Sequence, residues 1–199
     1  MKLQIKNKYT TDDTTFLVVE QLIAIICIFI PLFLYLADNN TVRGSISAYV
    51  DMDNSYIYGL LLGIAAMLFI FNGALYFKTT PKPNMNYKKN RGKWYNIILG
   101  VALMGVTLFP YNGKLSLLHY FFTIVFFAGS AVVMFLFQNP KHMLISRILA
   151  IISLFGLGLC VFGSENFFNL FWAEWIALVM IGLYYILESK DIILLKRKN

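Results

Sequence analysis

The stretch FLVVEQLIAIICIFIPLFLYL, Phe16–Leu36, decides what kind of molecule this is. Coiled as an α-helix at 1.5 Å per residue, its 21 residues reach about 31 Å, which matches the roughly 30 Å hydrocarbon core of a bilayer. Polar groups are confined to Glu20 and Gln21 near one end. The run is continuous and does not alternate, so it reads as a spanning helix and not as a barrel strand. It is also too long for the apolar core of a cleavable signal, and polar residues including Asp12 and Asp13 precede it. We therefore read it as a retained first span.

Five further apolar runs follow, near Tyr56–Phe77, Trp94–Pro110, Ser116–Gln138, Ile145–Phe162 and Phe167–Leu187. The third and fifth are the shortest. The expected fold is all-α: a polytopic membrane bundle of six transmembrane helices forming one domain over residues 1–199. Composition agrees. Hydrophobic residues make up 59% of the chain and charged residues 14%, well below the roughly 25% charged of soluble domains, so a water-soluble fold is excluded.

Charge sets the expected orientation. Of the 17 basic residues, all but Arg43 and Lys114 fall in the N-terminal tail, the second connection, the fourth connection or the C-terminal tail. Basic segments stay in the cytoplasm, and an even number of spans then places both termini there. The setting expected is a bacterial inner membrane. The basic residues are dispersed in short segments, so a nucleic-acid partner is excluded as a main role, and membrane lipids are the expected partners.

Two polar groups stand out inside or beside the spans, where polarity is costly and usually faces the protein interior. One belongs to the outer side. His119 lies about 5 Å and Glu174 about 10 Å inside the starts of their helices. Arg43, Ser45 and Ser47 occupy a loop able to fold over them, while Asp51 and Asp53 are expected to be solvated. His119, Thr123 and Ser130 share a stripe of the fourth helix. The inner group comprises Glu20, Gln21, Asn72, Asn96 and Arg147, with Glu20 and Arg147 expected to form a buried ion pair. Gly59 and Gly63 form a GxxxG, roughly continued by Ala66 and Gly73, and are expected to pack helices within the chain.

Cys27 and Cys160 lie in apolar runs and read as small buried hydrophobes. The chain has two histidines, His119 and His142, at opposite ends of one helix, too few and too far apart for a zinc site. No metal or cofactor is expected.

The segments RGSISAYV (Arg43–Val50), FNGALYF (Phe71–Phe77), VALMGVTLFP (Val101–Pro110), LHYFFTIVFFAGS (Leu118–Ser130) and FWAEWIAL (Phe171–Leu178) together resemble an uncharacterised bacterial family of six-span membrane proteins. That family is in turn distantly similar to the eukaryotic DRAM and FGF-receptor-activating/Sfk group. The resemblance implies a six-helix bundle of unknown activity. It draws attention to Ser45, Ser47, Tyr49, His119 and Glu174. Val50 stands where the family pattern has a second tyrosine.

Two functions fit these residues. The first is binding or sensing of a lipid or other amphiphile in an outer-leaflet pocket formed by Arg43, Ser45, Ser47, Tyr49, His119 and Glu174, with Phe121, Phe122, Phe126 and Phe127 as candidates for an acyl groove. The second is a lipid-directed hydrolase or transferase, in which Ser45 or Ser47 is the nucleophile, His119 the base and Glu174 the group that orients it. The sequence has no GxSxG elbow to support the second.

Overall fold

In the computed structural model, residues 11–78, 94–137, 142–162 and 169–197 are described. They form six helices: α1 (Thr11–Ala37), α2 (Ser55–Lys78), α3 (Tyr95–Leu108), α4 (Ser116–Leu136), α5 (Met143–Phe162) and α6 (Leu170–Arg197). A short 3-10 turn, Ser47–Asp51, lies between α1 and α2. The basic segments Lys2–Lys8 and Lys82–Lys93, with Lys141 and the tight loop expected at Gly163–Asn166, lie outside the described residues.

Each helix packs on its neighbours in sequence, and α6 returns against α1, so the bundle closes into a ring, with α4 also touching α6 across it. Five helices are long and apolar enough to cross a membrane. Their outer faces carry large exposed apolar side chains, among them Phe33, Leu117, Ile124 and Phe155, while the interior is closed by buried residues such as Ile23, Phe69, Phe126 and Ile181. Apolar surface on this scale is tolerable only where the solvent is itself apolar. The chain is built as an integral membrane protein.

The exception is α3. Its 14 residues rise about 21 Å, short of the hydrocarbon thickness. Pro110 accounts for the stop. The residue before a proline is pushed out of the helical region, and Phe109 is extended at φ −103°, ψ 128°. At the other extreme, α6 begins at Leu170, where the Asn169 side chain accepts the Phe171 N–H at 3.0 Å as an N-cap, and it continues well past the expected end at Leu187. The end of α1 is turned by Asn39 and Asn40, both at positive φ (53° and 62°), a conformation asparagine tolerates better than most residues.

Close packing depends on glycines other than those the GxxxG suggested. A Cβ on Gly100 would lie 2.6 Å from the Ala66 carbonyl oxygen of α2, and one on Gly182 would lie 2.9 Å from the Ala24 carbonyl oxygen of α1. Gly59 and Gly63 meet nothing within 4 Å and instead border an open apolar groove with Leu60, Met67 and Phe71. A small-residue stripe permits close approach only where it faces a neighbour, and the approach of Gly100 to α2 is at Ala66 and Ile70.

The inner polar residues also divide. The Asn96 amide donates to Asn72 Oδ1 at 2.6 Å, and the Tyr185 hydroxyl donates to Asn96 Oδ1 at 2.6 Å, which ties α2, α3 and α6 together. Glu20 is fully buried on α1. Arg147 stacks its guanidinium over Phe135 of α4, 5.1 Å from the ring centroid. Among the described residues no ion pair joins Glu20 to Arg147, because they stand on α1 and α5, which are not neighbours in the ring.

These glycine contacts predict a contrast. Gly100→Ala forces backbone apart and destabilises by about 1–3 kcal/mol, the usual cost of overpacking. Gly63→Ala adds a methyl group to open space and leaves stability unchanged or slightly higher. Thermal unfolding of both variants in the same detergent checks this; equal melting temperatures would contradict the assigned packing.

Candidate functional site

At one end of the bundle, the segment from Asp38 to Asn54 folds back over the helices and is pinned at several points. The Arg43 guanidinium grips Asp38 with two nitrogens, Nε at 2.6 Å and Nη2 at 3.1 Å. That bond raises the Arg43 pKa above its ordinary value. The Asn169 amide donates to the Arg43 carbonyl at 3.1 Å, and the Phe171 N–H donates to the Gly44 carbonyl at 3.1 Å. Tyr49 is fully buried; its hydroxyl donates to the Thr41 carbonyl at 2.8 Å, and its ring packs on Phe171. Burial is the first cause of its raised pKa. Asp51, expected to be solvated, accepts a hydrogen bond from Tyr111 in the α3–α4 connection.

The central contact is made by Glu174. Its carboxylate, 4% exposed, accepts the backbone N–H of Ile46 at 2.6 Å. This buried loop amide thus finds an acceptor that no lipid provides. Ser45 and Ser47 flank it. Their hydroxyls are 3.0 Å apart, and Ser45 Oγ also accepts the Ala48 N–H at 3.2 Å, which closes the start of the 3-10 turn.

Below this roof lies a cavity of about 40 Å³, lined by residues of α1, α2, α3, α4 and α6. Its polar residues are Ser47, Thr123 and Glu174; Cys27, Leu62, Phe126, Phe127 and Leu178 are among its apolar walls. The volume is enough for a few waters. Pro31 of α1 stands just beyond the cavity residues Cys27 and Ile30. It has no N–H to give the Cys27 carbonyl, and in the same turn Trp175 of α6 donates to the Ile28 carbonyl at 3.2 Å.

His119 takes a different partner from the one a catalytic array requires. It is 3% exposed, and Nδ1 faces the carbonyls of Val106 and Phe109 at 3.1 and 2.9 Å. Carbonyls only accept, so Nδ1 carries a proton. These are carbonyls at the end of α3, which have no helical successor to bond them. His119 therefore caps the short helix. Thr123 links the two regions: it lines the cavity and donates to the His119 carbonyl at 2.9 Å. Ser130, the third residue of that stripe, is buried with no hydrogen-bond partner for its hydroxyl among the described residues. Of the four phenylalanines, Phe126 and Phe127 line the cavity, Phe122 packs against Gly105 and Phe109, and Phe121 faces outward.

The structure thus brings Arg43, Ser45, Ser47, Tyr49 and Glu174 into one roof, and places His119 at the adjacent end of α3. Sequence reasoning missed Asp38, Tyr111 and Asn169. Asp38, five residues before Arg43, was the one with a readable signal.

A family of unknown function, DUF7103, matches residues 29–189. The chain belongs to this family. The DUF7103 match runs from within α1 to within α6 and so includes the roof, His119, Glu174 and every named cavity wall except Cys27. No curated protein and no solved structure gives a significant match.

The Tyr111–Asp51 bond carries a pH prediction. Hydrogen bonding to Asp51 raises the Tyr111 pKa above 10.0. The contribution of this bond is complete below the unfolded value and is lost as pH rises through the raised folded value. The phenolate absorbance difference between the wild type and Tyr111→Phe is expected to titrate above pH 10, and in an Asp51→Asn background to move down toward it. An unchanged midpoint would show that Asp51 does not hold the phenol.

Proposed function

We propose that this membrane protein binds an amphiphile in the cavity beneath the Asp38–Asn54 segment, at the outer side of a bacterial inner membrane, with both termini in the cytoplasm. The observation that carries the reading is the placement of one carboxylate, Glu174, at the top of an apolar cavity roofed by a loop that the same carboxylate holds down. Ligand sites between bundle helices have this composition: apolar walls and a few polar groups that fix orientation. Typical ligand pockets occupy roughly 300–1,000 Å³. At about 40 Å³ the cavity as it stands is far smaller than that, so occupancy requires the roof to lift. Lifting it breaks single hydrogen bonds and one ion pair, and withdraws Ile46, Tyr49 and Met52 from the core in which they are buried.

A second reading, a lipid-directed hydrolase or transferase, is favoured by the tautomer of His119. With the proton on Nδ1, the neutral ring presents Nε2 as a base. Against it, the hydroxyls of Ser45 and Ser47 are engaged with each other.

Cys27 reports on the cavity directly. In a Cys160→Ala background, a small methanethiosulfonate reagent is expected to modify Cys27 slowly, and several-fold faster once Arg43→Ala unpins the roof. Lipids retained on the purified protein should slow the reaction. A rate indifferent to both changes would remove the cavity as the binding site. Lipid profiles of cells expressing the wild type and His119→Ala separate the two readings: a species that changes only with the wild type supports turnover, and matching profiles support binding.

A further inference from the structure

The ionisable character of the cavity has one sign, and this selects among amphiphiles. Among the described residues Glu174 is the one acidic or basic group in the lining, which holds no Lys, Arg or His. An ionised carboxylate only accepts hydrogen bonds. Thr123 has committed its hydroxyl proton to the His119 carbonyl, so the lone pairs of Oγ1 are what it has left to offer. Arg43, the cation nearest in sequence to the roof residues, is held in two-pronged fashion by Asp38. An anionic headgroup entering here would meet a like charge in a low-dielectric space and find no free cation. An ammonium group brings three donors and the complementary charge.

We infer that the ligand of this cavity is an amine-bearing amphiphile whose head replaces the Ile46 N–H as the donor to Glu174, while its chain follows the apolar walls. The inference rests on the amphiphile-binding reading above. It also couples occupancy to the roof. Glu174 exchanges one donor for another, so binding the amine releases the Ile46 amide and loosens the loop that the carboxylate had held. Phe126, Phe127 and Leu178 then offer the alkyl chain a path between α4 and α6.

Three probes of equal chain length test it: n-dodecylamine, n-dodecanol and n-dodecyl phosphate, each added at neutral pH to the Cys160→Ala protein in maltoside micelles. Dodecylamine is expected to protect Cys27 from methanethiosulfonate at roughly tenfold lower concentration than dodecanol, the low end of what a close charge pair contributes. Dodecyl phosphate is expected to protect least. In Glu174→Gln the amine should lose its advantage over the alcohol. The ranking on the protein with native Glu174 stands independently if that variant fails to fold. Equal protection by amine and alcohol, or stronger protection by the phosphate, overturns the inference and leaves amphiphile binding intact. Protection by none of the three overturns the amphiphile reading itself. A second readout is hydrogen exchange at the Ile46 amide, expected to speed up with dodecylamine; slower exchange would show that the head does not compete for Glu174.

Discussion

A backbone amide or carbonyl inside a bilayer has no water to bond, and this constraint explains both side chains that first drew attention to the roofed end of the bundle. Glu174 and His119 each satisfy backbone belonging to another segment. Glu174 accepts the Ile46 N–H of a loop that dips among the helices. His119 gives its Nδ1 proton to carbonyls at the end of a helix too short to span. Neither task is visible if a polar residue in a span is judged only by which other polar side chains it might meet. Both follow from asking where the backbone hydrogen bonds of each irregular segment go.

The short α3 and the inserted loop belong to one arrangement. Pro110 ends α3 early, and the α3–α4 connection then supplies Tyr111 to hold Asp51 on the roof. From the other side, Asn169 both caps α6 and ties down the Arg43 carbonyl. The roof is therefore fixed from two connections and from α6 itself. Beneath it, the Pro31 turn of α1 is bridged by Trp175 of α6, next to the cavity. Departures from regular helix gather around one small space, and the opposite end of the bundle is tied instead by the Asn72–Asn96–Tyr185 chain.

Much of the fold was legible because bilayer thickness imposes a length on a spanning helix, and the chain shows five runs of that length and a shorter apolar one. The third run was expected to end near Pro110, two residues beyond the last residue of α3. Arg43, Ser45 and Ser47 were expected in a loop able to fold over Glu174, and Glu174 holds that loop through the Ile46 amide. What could not be read was the pairing. The partner of Glu174 is a backbone amide, which has no residue identity to recognise. The Glu20–Arg147 pair failed because depth alone does not say which helices are adjacent in a ring. The GxxxG failed for a related reason: small residues permit close approach without compelling it, and Gly100 and Gly182 took that role while Gly59 and Gly63 were left open.

Ring closure by the first and last helices has a consequence for how the molecule is made. The Ile46 amide and Glu174 are separated by 128 residues in sequence. During synthesis, α1 and the loop enter the membrane long before α6 exists. Until then the α1 surface around Ala24 and Ile28 has no cover, and the loop has no carboxylate to hold its amide. The cavity is thus the last feature to form, assembled only when the final helix arrives. A chain released before α6 would lack the Glu174 acceptor and one wall of the cavity.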